Sequence, residues 1–302
     1  MPTRIKADLA LATCALVWGA TFVLVKNALA DSSVFAFLAV RFVLAGIVMA
    51  AIFWRALSKT NAADLRAGAW LGLFMFGGYA FQTLGLVGTT PSKAAFITGS
   101  SVVLVPIFHG IFWRSKIRPA VWAGAAAALA GLYFLTVPRE GLGQLNGGDL
   151  LVGGCAVVFA MHILFVGHYS PKHSVGALSF HQIAMTAALS LLAIPVASAT
   201  RVEVPHFHSS STLWIAVAGT AVFATALAFS IQIWAQQHTT PSHVAILFSL
   251  EPVFAGVTSY IWLGERLSGR AISGAALILA GILIAEMIGG TPVAAESPTP
   301  EG

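Results

Sequence analysis

The stretch T-T-P-S-K-A-A-F, Thr89 to Phe96, returns as T-T-P-S-H-V-A-I, Thr239 to Ile246, at a spacing of 150 residues. The match extends without a gap on both sides. Gln82 falls on Gln232, Gly124-Ala125-Ala126 on Gly274-Ala275-Ala276, and Leu129-Ala130-Gly131 on Leu279-Ala280-Gly281. A second register, at a spacing of 141, sets Asp8-Leu9 on Asp149-Leu150 and Cys14 on Cys155. The chain is therefore two copies of one unit.

The medium in which that unit repeats is set by composition. Of 302 residues, 58% are hydrophobic and 9% charged, and mean hydropathy is +0.86. A soluble domain carries about 25% charged residues. Apolar runs of roughly 20 residues, the length that crosses a bilayer core of about 30 Å, follow one another with short breaks. They fall at about 7–28, 34–54, 67–88, 93–113, 119–136, 148–168, 176–197, 212–234, 242–263 and 270–288. Lipid offers no partner to backbone N–H and C=O groups, so such segments are helical. The expectation is an all-α integral membrane protein with ten transmembrane helices. Residues 7–136 and 148–288 form the two five-helix repeats, and the Pro-, Ala- and Glu-rich 289–302 forms a disordered cytoplasmic tail.

Five helices is an odd number, so the second copy enters the membrane opposite to the first. The halves are then inverted repeats about an axis in the membrane plane, an arrangement found in transporter folds. The first half shows a clear excess of basic residues on one side. Arg4, Lys6, Arg55, Lys59, Arg66, Arg114, Lys116, Arg118 and Lys172 gather on the side of the N-terminus, which the positive-inside rule makes cytoplasmic, along with both termini. The sequence pI of about 9.5 reports this topology and not nucleic-acid binding. Ala28-Leu29-Ala30 could pass for a signal-peptidase site, but the first helix has a repeat partner starting at Asp149, where no signal peptide sits. Cys14 and Cys155 hold equivalent positions inside helices and read as packing groups rather than a disulfide.

The chain resembles the drug/metabolite transporter superfamily, and within it the ten-helix EamA-type transporters. The residues that carry the likeness are W-G-A-T-F at Trp18–Phe22, V-R-F-V-L-A at Val40–Ala45 and P-S-K-A-A-F-I-T at Pro91–Thr98, then S-L-E-P-V-F-A at Ser249–Ala255 and L-G-E-R-L at Leu263–Leu267. The resemblance spans roughly residues 7–288. It implies a secondary transporter of small organic solutes such as amino acids, related metabolites or drugs, working mostly outward. Import of a similar solute is the alternative. A membrane enzyme or a scaffold fits less well: no H-E-x-x-H, G-x-S-x-G or P-loop is present.

Polar groups at depth carry the site expectations, because an ionisable side chain at the bilayer centre costs about 2.5–3.5 kcal/mol. Arg41 lies about seven residues into the second helix. It reads either as a structural arginine held by carbonyls or as a cationic fork for a substrate carboxylate. Glu251, about nine residues into the ninth helix and followed by Pro252, is either a packing group or a substrate-binding and proton-coupling carboxyl; the proline is expected to kink the helix and free the carbonyl of Phe248. Gln82 and Gln232 are repeat-equivalent amides that suit two faces of one cavity or plain interhelical bonding. Trp18, Phe22, Tyr79 and Phe96 could form an aromatic lining. His162 and His181 are lone membrane histidines, proton-coupling candidates with packing as the plainer reading. The expected cavity is surrounded by the first, third, fourth, sixth, eighth and ninth helices. Ala123, Ala127 and Gly131 mark a small-residue seam on the fifth helix, which with the tenth stands outside the cavity. His206 and His208 lack a companion carboxylate beyond Glu203, and no metal or cofactor is expected. Expected partners are a small-molecule substrate, protons as a second cargo, and the bilayer, with the chain as monomer or homodimer.

Overall fold

The computed structural model describes residues 3–263 and 268–287, the side chains of Phe22, Ser259, Trp262, Leu263 and Met287 excepted. The tail 289–302 and most of the L-G-E-R-L stretch lie outside the described residues. Within them the chain is helical, with no named strand. The elements are α1 (Thr3–Gly19), α2 (Phe22–Ala28), α3 (Val34–Leu57), α4 (Ala62–Gly88), α5 (Pro91–Gly99), α6 (Ser101–Phe112) and α7 (Pro119–Thr136), followed by α8 (Gly147–Tyr169), α9 (Val175–Ala199), α10 (Ser211–Gly219), a π-helical segment (Thr220–Leu227), α11 (Ala228–Gln236), α12 (Pro241–Phe248), α13 (Glu251–Leu263) and α14 (Gly269–Met287).

Among the described residues nine helical stretches are long and apolar enough to cross a membrane. The expected ninth span, 242–263, is held by α12 and α13, two helices separated by Ser249 and Leu250. The structure replaces the expected kink with this break. Pro252 sits in the first turn of α13, where its missing N–H has no helical partner to lose.

The repeated T-T-P-S stretch is a helix start. Thr90 and Thr240 turn their hydroxyls onto the backbone N–H of Lys93 and His243, and Pro91 and Pro241 occupy the first helical position. Asn61 with Asp64 and Asn146 with Asp149 form capping boxes that start α4 and α8.

Successive spans alternate in direction, and pairs between distant segments tie their ends together at two faces. At the face bearing the start of α1, Arg4 pairs with Glu286 at 2.6 Å and His173 with Asp64 at 2.6 Å. At the opposite face, Asn146 donates to the Gly88 carbonyl at 3.0 Å and the Ser33 N–H to the His206 carbonyl at 3.0 Å. The loop holding His206 and His208 is strapped there: Glu203 accepts from the N–H groups of Val34 and Phe35, capping α3.

The seam between α7 and α14 shows how the halves relate. A Cβ added at Gly124 would lie 2.6 Å from the Gly281 carbonyl oxygen, and one at Gly131 would lie 2.5 Å from that of Gly274. Gly124 is the repeat equivalent of Gly274, and Gly131 of Gly281. Such crossed pairs arise when a two-fold operation exchanges two antiparallel helices. The seam runs along Gly124, Ala128 and Gly131, at i, i+4, i+7, while Ala123 faces outward. A straight helix turns about 100° per residue, so the i, i+4, i+8 stripe expected from the sequence drifts off the contact.

Candidate functional site

One cavity lies where the halves meet, about 980 Å³ of open space including its mouth. Its lining comes from the first, second, third, fourth, sixth, eighth and ninth spans, with α7 and α14 outside. The second span, absent from the expected ring, enters through Arg41. Three of the lining spans are interrupted at mid-depth: α1 from α2 around Ala20, α5 from α6 at Ser100, and α12 from α13 at Ser249. Ser100 and Ser249 turn their hydroxyls back onto the carbonyls of Ile97 and Ile246, at 2.6 and 2.5 Å. Hydroxyl back-bonding of this kind competes with the helical ladder and marks the breaks.

The lining repeats with the chain. At a spacing of 141, Trp18 matches Phe159, Thr21 matches His162 and Arg41 matches Gln182. At a spacing of 150, Tyr79 matches Phe229, Gln82 matches Gln232 and Ser101 matches Glu251. All of these except Gln182 line the cavity, and Gln182 stands directly behind it, bonded to His162 at 3.1 Å.

Aromatic rings form one wall. Trp18 meets Phe248 edge-on at 4.9 Å and Phe229 at 5.3 Å, and its indole N–H donates to the Ala224 carbonyl at 2.8 Å. Tyr79 meets Phe159 at 5.3 Å. Against this wall stands Arg41, itself 3% exposed. Its Nε donates to Thr225 Oγ1 at 2.9 Å and one terminal nitrogen to the Tyr79 hydroxyl at 3.1 Å. The guanidinium also lies over the Tyr79 ring, 4.5 Å from its centroid. These partners are neutral, and no carboxylate of the described residues forms an ion pair with Arg41. Glu251 likewise lines the cavity without a cation among its described neighbours. Among the described residues the lining thus carries one guanidinium and one carboxyl group, neither in an ion pair.

Gln232 donates to Gln236 at 3.1 Å, and Gln236 donates to the Ile163 carbonyl at 2.9 Å. Two residues expected at the site lie elsewhere. Phe96 packs on Tyr133 of α7, 6.0 Å between ring centroids; Ala95, Thr98 and Gly99 present the other face of α5 to the cavity. His181 lies near the N-terminal face, 3.4 Å from Thr60 Oγ1. Phe22 opens α2, but its side chain is outside the described set.

Sequence reading missed Thr225, Phe159 and Phe229. The last two were available from the repeat registers, as partners of Trp18 and Tyr79. Thr225 was not, because it owes its place to the π-helical segment, whose sequence T-A-V-F-A-T-A-L carries no proline or glycine to mark it. Such segments recur at functional sites.

Comparison with known proteins gives the same picture. The model of the EamA-like transporter family matches the chain twice, over residues 5–137 and 146–287. A protein of Archaeoglobus fulgidus named as an uncharacterized transporter is 37% identical over 284 residues, which is 94% of this chain and 87% of its own. The threonine/homoserine exporter RhtA of Salmonella typhimurium is 26% identical over 174 residues, 57% of this chain and 55% of its own. A solved crystal structure superposes with a TM-score of 0.77 over 94% of this chain and 97% of that one, at 22% identity, and so shares the fold. With two family matches that together cover most of its length, a helical multi-pass architecture and a cavity between repeats, the chain belongs to the EamA-like transporter family.

Proposed function

We propose that the protein is a secondary transporter that exports small zwitterionic metabolites of the amino-acid class by alternating access. The observation that carries this reading is the pair Arg41 and Glu251, a guanidinium and a carboxyl group on the wall of one cavity, neither ion-paired among the described residues. A substrate carboxylate would take the free N–H donors of the guanidinium, and its ammonium would face Glu251. Trp18, Tyr79, Phe159 and Phe229 would hold the apolar side chain. Gln82 and Gln232 would offer amide hydrogen bonds from opposite sides. The named activity of RhtA supports amino-acid chemistry and outward transport. In this reading the protein sits in the cell inner membrane with its N-terminal face in the cytoplasm, as the basic residues of that face favour. Glu251 is the first candidate to couple a proton, His162 the second; His181, away from the cavity, is the weakest.

Purified protein in liposomes tests this directly. Preloaded amino acid should exchange for labelled amino acid outside, and cells overexpressing the chain should release it in a manner that an uncoupler abolishes. Absence of exchange for every zwitterion in a broad panel, with folded protein present, would overturn the proposal.

A further inference from the structure

The buried side-chain nitrogens and oxygens that lack a hydrogen-bond partner are all on one side. Among the described residues they are Gln182 Nε2, Gln232 Oε1, Ser170 Oγ, Ser179 Oγ, Thr239 Oγ1 and Ser242 Oγ, with Arg4 Nε and His109 Nδ1 nearer the surface. Every one belongs to the half of the molecule toward the N-terminal face. Among the described residues the opposite half has none. A buried polar atom without a partner is costly to keep, and a one-sided set of them marks the half that gains most from contact with water.

Three of these atoms, on Gln232, Thr239 and Ser242, follow one stretch of chain from the end of α11 to the start of α12. Gln232 is on the cavity wall and bonds Gln236; Thr239 and Ser242 follow at the start of α12. The stretch ends at His243, whose Nε2 lies 3.0 Å from Asp8 Oδ1 and 3.3 Å from Glu286 Oε2, while Arg4 holds Glu286 at 2.6 Å. This cluster ties the starts of α1 and α12 to the end of α14. Its repeat equivalent closes the opposite face: Asp149 matches Asp8 and Lys93 matches His243, and they pair at 3.4 Å.

We infer that the polar strip from Gln232 to Ser242, buried in this structure, is the wall of a closed vestibule through which the cavity opens to the N-terminal face. The Asp8–His243–Glu286 cluster with Arg4 is its gate. This rests on the alternating-access reading above, because a cavity that opened to one face alone would need no such route.

The test uses protein in which Cys14 and Cys155 are replaced by alanine and Ser242→Cys supplies the sole thiol. Its reaction rate with a small hydrophilic methanethiosulfonate is measured in lipid nanodiscs. Breaking the gate with Asp8→Asn or Glu286→Gln should raise that rate at least about tenfold, the response to a shift of about 1.4 kcal/mol in the closed–open equilibrium. Lys93→Met, at the opposite face, should not raise it. Two gate variants guard against misfolding of one, and each is checked by thermal melting. Rates within twofold of the parent in both gate variants would overturn the inference. Amino-acid exchange by the same proteins separates the two claims. Exchange without a labelling response sinks the gate alone, and a labelling response without exchange keeps the gate and sinks the transport function.

Discussion

The two ends of the molecule are built from the same parts and finished differently. At the opposite face, the side chain of Asp149 is 1% exposed and accepts from the Asn146 N–H, the Thr89 hydroxyl and Lys93. Lys26 adds a cationic cap on the carbonyls of Leu86, Val87 and Thr89. At the N-terminal face the side chain of Asp8 is 21% exposed and bonds His243, and unpartnered polar atoms lie behind it. The difference teaches that the fold is symmetric along its helix seam and asymmetric at its ends and along its cavity. The α7–α14 seam obeys the two-fold. The cavity breaks it, with Arg41 against Gln182 and Glu251 against Ser101.

That contrast can be broken by mutating repeat-equivalent positions in pairs. The largest inequality is expected in the cavity. Glu251→Gln should lower exchange on the order of 100-fold, about 2.7 kcal/mol, and flatten its dependence on pH, whereas Ser101→Ala should cost less than about threefold. Flux measured over a pH series on folded protein decides it; equal losses, or an unchanged pH profile in Glu251→Gln, would remove the carboxyl from the mechanism and leave it as packing. Next comes the seam, where equality is expected. Gly131→Val and Gly281→Val each force a Cβ against a carbonyl oxygen and should each cost about 1–3 kcal/mol. Thermal melts that differ widely between the two would deny the two-fold relation there. The smallest effect belongs to the ends. Asp149→Asn should destabilise by about 1 kcal/mol more than Asp8→Asn, because Asp149 alone completes a capping box. A chemical-denaturation series in mild detergent would show the difference, and the reverse order would contradict the reading of Asp149 as the clamp.

Much of this was legible in the residues. T-T-P-S read twice gave the repeat, and apolar runs gave the spans, since lipid permits few alternatives. Depth picked out Arg41 and Glu251, because charges at depth are rare enough to stand out. What the sequence concealed was rotation and local helix form. Phe96 and Ala123 sit within a residue or two of positions that do face the cavity or the seam, and hydrophobicity around a lipid-facing helix is too even to fix its angle. The breaks at Ala20, Ser100 and Ser249 lie inside apolar runs that read as continuous helix, and the π-helical segment that positions Thr225 has no residue-level mark. The pairing of Asp8 with His243 joins residues 235 apart and follows from the fold alone.

The most direct test of the central claim is the charge selectivity of exchange, measured in liposomes for three proteins and three solutes. The proteins are wild type, Arg41→Gln and Glu251→Gln; the solutes are an amino acid, its methyl ester, which keeps only the ammonium, and its N-acetyl derivative, which keeps only the carboxylate. Wild type should favour the zwitterion by at least about tenfold over either derivative, the loss of one charge-assisted contact. Arg41→Gln should shift preference toward the ester and Glu251→Gln toward the N-acetyl form. The same order of preference in all three proteins would contradict the assignment of Arg41 and Glu251 as the two poles of the site.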